Sequence, residues 1–215
     1  DFPLAQLALS PCGLQWASDG LLRRVADASA AYKAGVHMHL LETRRQQEYA
    51  RRRFRVSAAQ ALGDRGLLGR RVSLAHAVWL SEGDAELLAR TGTTVVSNAS
   101  SNLRLGSGLL PLRELRAHGV SLAIGLDSAA LSDDDDIFRE MRLVGVLHRP
   151  FAPETEWPSS YEVLRMATVG GARAAGLEGS VGRLLPGYRA DVTVLNLARM
   201  RKPYLPDLDV VDLAL

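Results

Sequence analysis

Gly35-Val36-His37-Met38-His39-Leu40-Leu41-Glu42-Thr43 is a short apolar run with histidines at alternate positions, closed by a carboxylate and a hydroxyl. Gly35 ends whatever precedes it, so residues 36–41 read as a strand. On the amino side, residues 19–33 have helical spacing, with Leu22, Val25, Ala26, Ala30 and Ala34 on one face. On the carboxyl side, residues 44–54 and 58–62 are also helical. A strand flanked by helices is the middle of a β-α-β unit. The same unit recurs outward. Residues 4–9 form a strand ending at the Ser10-Pro11 breaker, and residues 71–77, 93–97 and 120–126 form three more. Helices fall between and after them. One spans residues 81–90, capped by Ser81 with Gly92 as its stop. Another spans residues 111–118 and is closed by Gly119. A long one runs from the cap Ser132 to Leu147, and residues 161–175 form the last before Gly176. Five strands alternating with helices predict a parallel sheet with the helices outside it. A closed barrel of this kind needs eight strands. A five-stranded doubly wound sheet is the alternative, but no strand is followed by G-x-G-x-x-G. After Gly179 the character changes. Residues 182–191 are rich in turns, residues 192–197 are a β-branched strand, and residues 202–215, with Pro203 and Pro206, read as loop and edge. The division falls between residues 1–178, the strand–helix layer, and residues 179–215, the start of a small β layer.

The chain of 215 residues has room for one domain with a sizeable core, or one domain and a fragment of another. Hydrophobic residues at 47% and charged residues at 23% exclude disorder and coiled coil. No apolar run approaches the roughly 20 residues that span a bilayer, and no secretory pattern opens the chain. The single cysteine, Cys12, allows no internal disulfide, which fits a cytoplasmic setting. The first residue is Asp1, which suits a processed chain or a piece of a longer one. A net charge of +2 is too small to indicate a nucleic-acid partner. Arginine is locally dense at Arg44, Arg45, Arg51, Arg52, Arg53 and Arg55, then at Arg65, Arg70 and Arg71. These residues read either as a basic groove or as the solvated face of a helix with stems over apolar neighbours; aromatics do not interleave with them as a single-strand platform requires.

The histidines are separated by position. His37 and His39 share one face of their strand. His76 is the last residue but one of its strand, and Asp127 directly follows the strand at residues 120–126. If the strands are parallel, His39, His76 and Asp127 all lie at carboxyl ends, where α/β barrels place their chemistry. Two imidazoles and a carboxylate from three strand ends suit a divalent metal such as zinc or iron. Glu42, three residues past His39, can take a proton from a water on such a metal and return it to a leaving group. The competing reading puts Glu42 in the N-cap region of the helix that opens at Arg44. His118, before Gly119, complements a helix dipole, and His148, beside Arg149-Pro150, reads as structural. Asp133–Asp136 favour a helix N-terminus. Cys12, with Gln15 and Trp16, sits in a loop at the same end of the sheet.

Several segments resemble the amidohydrolase superfamily, in family order over nearly the whole chain. His39-Leu40-Leu41-Glu42-Thr43 resembles the His-x-x-Glu-Thr of strand five, and Ala75-His76 the Ala-His of strand six. Residues 97–108, from Ser97-Asn98 to Gly108, are similar to the asparagine- and serine-rich segment after strand seven. Gly125-Leu126-Asp127 resembles the Gly-x-Asp of strand eight. Met166-Ala167-Thr168, Gly171-Ala172-Arg173 and Pro186-Gly187-Tyr188-Arg189-Ala190-Asp191 are similar to the carboxyl-terminal signature. The nearest branch looks like the cytosine deaminase and triazine hydrolase group, chlorohydrolases included.

The resemblance implies strands four to eight of a TIM-type barrel, followed by a fragment of a small β-sandwich domain. It implies one divalent metal ion, zinc or iron, with His39, His76 and Asp127 as ligands. Glu42, His76 and Asp127 would be the catalytic groups: a proton shuttle, a group polarising the substrate, and a carboxylate activating the attacking water. The substrate would be a small nitrogen heterocycle losing ammonia, an amine or chloride, with no nucleic acid or membrane involved and a homo-oligomer as the assembly. Two departures stand out. Ser97 occupies the place of a family histidine. No strand-one His-x-His is present, since His37-Met38-His39 is followed by the strand-five sequence, which makes His37 a packing or outer-layer residue. The competing function is an inactive half-barrel kept as an oligomerisation or binding module.

Overall fold

The computed structural model describes residues 6–132, 134–196 and 209–215. Five strands form one sheet in the order β1-β2-β3-β4-β5, with every neighbouring pair parallel. They are β1 (Ala8–Leu9), β2 (Gly35–Leu40), β3 (Val72–His76), β4 (Thr94–Ser97) and β5 (Ser121–Ile124). Residues 4 and 5 of the expected first strand lie outside the described residues. The strictly sequential order decides between the two architectures. A doubly wound sheet reverses direction at a switch point. Here each crossover moves one strand further the same way, and right-handed crossovers then place every helix on one face. The sheet is the open arc of a (β/α) barrel.

That arc has a dry face and an open one. Val36, Met38 and Leu40 of β2 are buried and face the helices, and Gly35, His37 and His39 take the other side. Leu74 and Val95, next in register to Met38, continue the dry face. Against it lie α1 (Asp19–Tyr32), α2 (Arg44–Phe54), α3 (Ala58–Gly63), α4 (Asp84–Thr91) and α6 (Leu112–Ala117). Leu22, Leu62, Leu67, Leu88, Leu112 and Leu115 are fully buried there. Truncating any one to alanine would cost about 2–5 kcal/mol. The Arg-rich face of α2 is engaged locally. Arg44 and Arg52 pair with Glu48, Arg53 lies over the Tyr49 and Phe54 rings, and Arg51 donates to Ser81.

Several helix boundaries differ from the sequence reading. The helix expected from Ser81 begins at Asp84, because the Asp84 carboxylate reaches back to accept the Ser81 N–H at 2.7 Å and the Ser57 hydroxyl. The long helix expected from Ser132 is two pieces, α7 (Ala129–Ser132) and α8 (Ile137–Val146). Asp136 is the real cap, accepting from Phe138 and Arg139 N–H; Asp133 lies outside the described residues. The last barrel helix is α9 (Ser160–Arg165), a π turn (Met166–Gly170) and α10 (Gly171–Ala174), opened by a Ser159/Glu162 capping box. A Cβ on Gly170 would lie 2.0 Å from the Leu122 carbonyl oxygen, so only glycine lets this turn sit on the backbone of β5.

Beyond residue 179 two expectations fail. Residues 192–196 form no strand, and Leu197 lies outside the described residues. Val192 and Val194 are 56% and 90% exposed, so this β-branched run has no neighbouring strand to pair with. The tail was expected as loop and edge. Residues 202–208 lie outside the described residues, but α11 (Val210–Ala214) is helical, capped by Asp209, and Arg142 donates to the Leu215 and Ala214 carbonyls.

Candidate metal centre

His39, His76 and Asp127 converge. One ligand atom from each can be chosen so that all lie within 4.8 Å of one another, at the carboxyl edge of the sheet. His39 arrives there by strand alternation, on the open face of β2. His76 does not. It pairs in register with Leu40, which faces the helices, so regular alternation would send its ring into the dry layer. Its φ of 73° reverses that, and Ala77 at φ 48° continues the turn. The ring then stacks on His39, with centroids 5.4 Å apart and planes 16° from parallel. Asp127 follows β5 with φ 64°. Cys12 after β1 and Leu41 after β2 are left-handed too, at φ 66° and 51°. Five non-glycine residues at strand ends thus hold a conformation that costs of order 1–3 kcal/mol each.

Each imidazole is oriented by its other nitrogen. His39 Nδ1–H donates to the Cys12 carbonyl at 2.9 Å, and His76 Nδ1–H donates to Asn102 Oδ1 at 2.9 Å. Both rings are thereby set with Nε2 as the free lone pair, the arrangement that metal-binding histidines adopt. His76 is fully buried, and its Nε2 has no hydrogen-bond partner; the nearest charged atom is Asp127 Oδ2 at 3.8 Å. A buried acceptor left this way costs about 1–3 kcal/mol. A cation between His39, His76 and Asp127 would satisfy it, so the donor set fits a divalent ion. Two nitrogens and an oxygen suit zinc. Asp127 Oδ2 is held by the Ser101 hydroxyl at 2.6 Å.

Glu42 lies one residue past the left-handed Leu41. Its N–H donates to Gln46 Oε1 at 2.8 Å, and its carboxylate is not one of the converging ligand atoms. His37 is one layer lower, its Nδ1 2.8 Å from Ser73 Oγ. Desolvation holds the His37 pKa below the usual histidine range, and the His39 and His76 imidazoles push the same way. Ser97, where the family histidine was expected, is buried at the end of β4. His118 is the C-cap of α6, at the helix end where the sequence placed it. Trp16 is 61% exposed and stands edge-on to His39 at 6.2 Å.

Ser101 and Asn102 are the residues to which sequence reasoning gave no role. Both sit on α5 (Ala99–Arg104), directly after β4, and both are buried. Two consecutive polar residues in the first turn of a helix at the carboxyl edge were the available signal. The carbonyl of Cys12, by contrast, carries no side-chain signature.

Known proteins are similar to this chain in sequence and in fold. Residues 6–214 match the model of the amidohydrolase family. A 5-methylthioadenosine/S-adenosylhomocysteine deaminase of Pyrococcus furiosus is 36% identical over 207 residues, which is 96% of this chain and 48% of the relative. The crystal structure of an adenosine deaminase from Xanthomonas campestris with bound zinc superposes on 100% of the chain with a TM-score of 0.93 and 30% identity, covering 48% of that protein. The atrazine chlorohydrolase of Arthrobacter aurescens, complexed with zinc, has a TM-score of 0.80 and 30% identity over 85% of the chain and 40% of its own. The chain therefore spans about half the length of the relatives it matches. Matched along nearly all of its length, and superposed on zinc-bound barrels through the strands that carry His39, His76 and Asp127, the chain belongs to the amidohydrolase family.

Proposed function

We propose that the protein is a zinc-dependent aminohydrolase that removes ammonia from an amino-substituted nitrogen heterocycle. The convergence of His39, His76 and Asp127, with both imidazoles held Nε2-free, carries this reading. These three residues would be the metal ligands. A divalent ion held there supplies Lewis-acid chemistry, which makes water a nucleophile at neutral pH. The protein's own residues do the rest. Asp127, restrained by Ser101, accepts a proton from the attacking water. Asn102 locks the His76 ring so that Nε2 stays the lone pair it would offer the ion. Glu42 carries a proton to the leaving nitrogen, which an amine needs and a chloride does not. The deaminases among the relatives support the amine over the chloride. A flat heterocycle is the natural guest of a site bordered by the exposed Trp16 ring.

The domain division belongs to the same proposal: residues 1–178 as the partial barrel, and residues 179–215 as a segment of a small second domain. A cytoplasmic setting fits the exposed free thiol of Cys12. No helix among the described residues is long and apolar enough to cross a membrane. A homo-oligomer is proposed as the assembly. The test measures zinc by elemental analysis in the product of the whole coding sequence, as distinct from residues 1–215 expressed alone, and assays ammonia from aminopurines, aminopyrimidines and aminotriazines. Stoichiometric zinc with ammonia release is expected. A protein that takes up no divalent metal and releases no ammonia would overturn the reading.

A further inference from the structure

Glu140 is fully buried on α8, in line with the core residue Val144 one turn on. A carboxyl group in such a place costs free energy unless it makes a specific bond. Its Oε1 accepts the N–H of Ser100 at 3.0 Å, in the first turn of α5. That turn lacks a cap of its own. Asn98 stands at the N-cap position, but its side chain caps no helix N–H. With its amide nitrogen facing them, Asn98 instead donates to the Ser97 and Gly125 carbonyls, each at 3.2 Å, and so ties β4 to the end of β5. The cap is supplied from outside, by Glu140. The next two residues of α5 are Ser101 and Asn102, which hold Asp127 at 2.6 Å and His76 at 2.9 Å. A six-residue helix is too short to hold its place by its own hydrogen bonds. Where its first turn is fixed decides where both of those side chains lie.

We propose that Glu140 is a positioning residue of the metal centre, fixing the first turn of α5 so that Ser101 and Asn102 orient Asp127 and His76. It touches none of the three ligands and acts only through α5. The inference rests on the proposed metal site, and the experiment separates the two. Zinc affinity is measured by chelator competition in the product of the whole coding sequence, and the cobalt(II)-substituted protein is read by its visible spectrum. Wild type must bind first; no binding there sinks the metal site itself. Given binding, Glu140→Gln keeps an acceptor for the Ser100 N–H and should retain affinity and spectrum. Glu140→Met removes the acceptor at similar size and should weaken zinc about 10- to 100-fold, with a shifted cobalt spectrum. In a Ser101→Ala/Asn102→Ala background the same change should alter affinity by no more than about twofold. If Glu140→Met does not fold, Glu140→Asp, which draws the carboxyl group back by one methylene, should show the same direction. Unchanged zinc affinity and spectrum in Glu140→Met or Glu140→Asp, or an equal loss in the double-alanine background, would overturn the proposal.

Discussion

Asn102 shows what a single residue contributes to this site. Its Oδ1 decides which nitrogen of His76 carries the proton, so replacing it by leucine, close in size, leaves the ring free to take the other tautomer. Asn102→Leu should lower zinc affinity about 10- to 100-fold, measured by competition with a chelator, and an unchanged affinity would show that the ring is held another way. Glu42→Gln should behave differently: metal content stays at the wild-type level while kcat for ammonia release falls about 10²- to 10⁴-fold. Wild-type-like turnover would remove Glu42 from the chemistry. His148 offers a test away from the site. Desolvation lowers its pKa from 6.5, so the unfolded chain binds this proton more tightly than the folded one. Stability should therefore fall as pH drops below about 6.5 and level off below the folded pKa. His148→Gln should flatten the melting temperature between pH 7.5 and 5.5, and a pH profile identical to wild type would rule the residue out. The convergence of His39, His76 and Asp127 was legible in the sequence because all three fall at strand ends. The orientation of His76 was not legible, since alternation alone puts its ring on the wrong face.

At the scale of elements, the strands were easier to read than the helix ends. Runs such as residues 93–97 have one reading, and the observed Thr94–Ser97 departs from it by a single position. Helix starts depend on side chains that reach back, and several acceptors competed for each start. Ser81 and Asp84 are both good caps, and the structure uses the Asp84 carboxylate to receive the Ser81 N–H. Ser132 and Asp136 compete in the same way, and Asp136 receives two helix N–H groups. The π turn Met166–Gly170 had no periodic signal, because one extra residue per turn still leaves a helical pattern. Its requirement is steric and testable. Gly170→Ala would drive a methyl group against the Leu122 carbonyl, and neither backbone is free to retreat. A loss of about 3 kcal/mol or more in urea unfolding is expected, and a loss under about 1 kcal/mol would mean the turn slides along β5.

The whole molecule is an arc with two edges. Among the described residues β1 and β5 each pair on one side only, and the face carrying His37 and His39 lies open. Closed barrels remove such edges, and the relatives are about twice as long. Residues 1–215 expressed alone should self-associate, hold substoichiometric zinc and turn over little substrate. Sedimentation and elemental analysis would decide, and a monomer with one tightly held zinc would show that the arc is self-sufficient. The parallel alternation was legible because each helix fits between its flanking strands, while the sequential order was implied only by the family resemblance. Residues 192–196 were misread for a reason that also lies at this scale: β-branched residues favour a strand only where another strand stands beside them.

The left-handed residues at the strand ends have one more consequence. Ala77 and Leu41 occupy positions where glycine would relax without strain, yet neither is glycine. Ala77→Gly would relieve the backbone on the folded side while loosening the aim of His76 beside it. Selection for heat resistance and selection for turnover would therefore rank this substitution in opposite order.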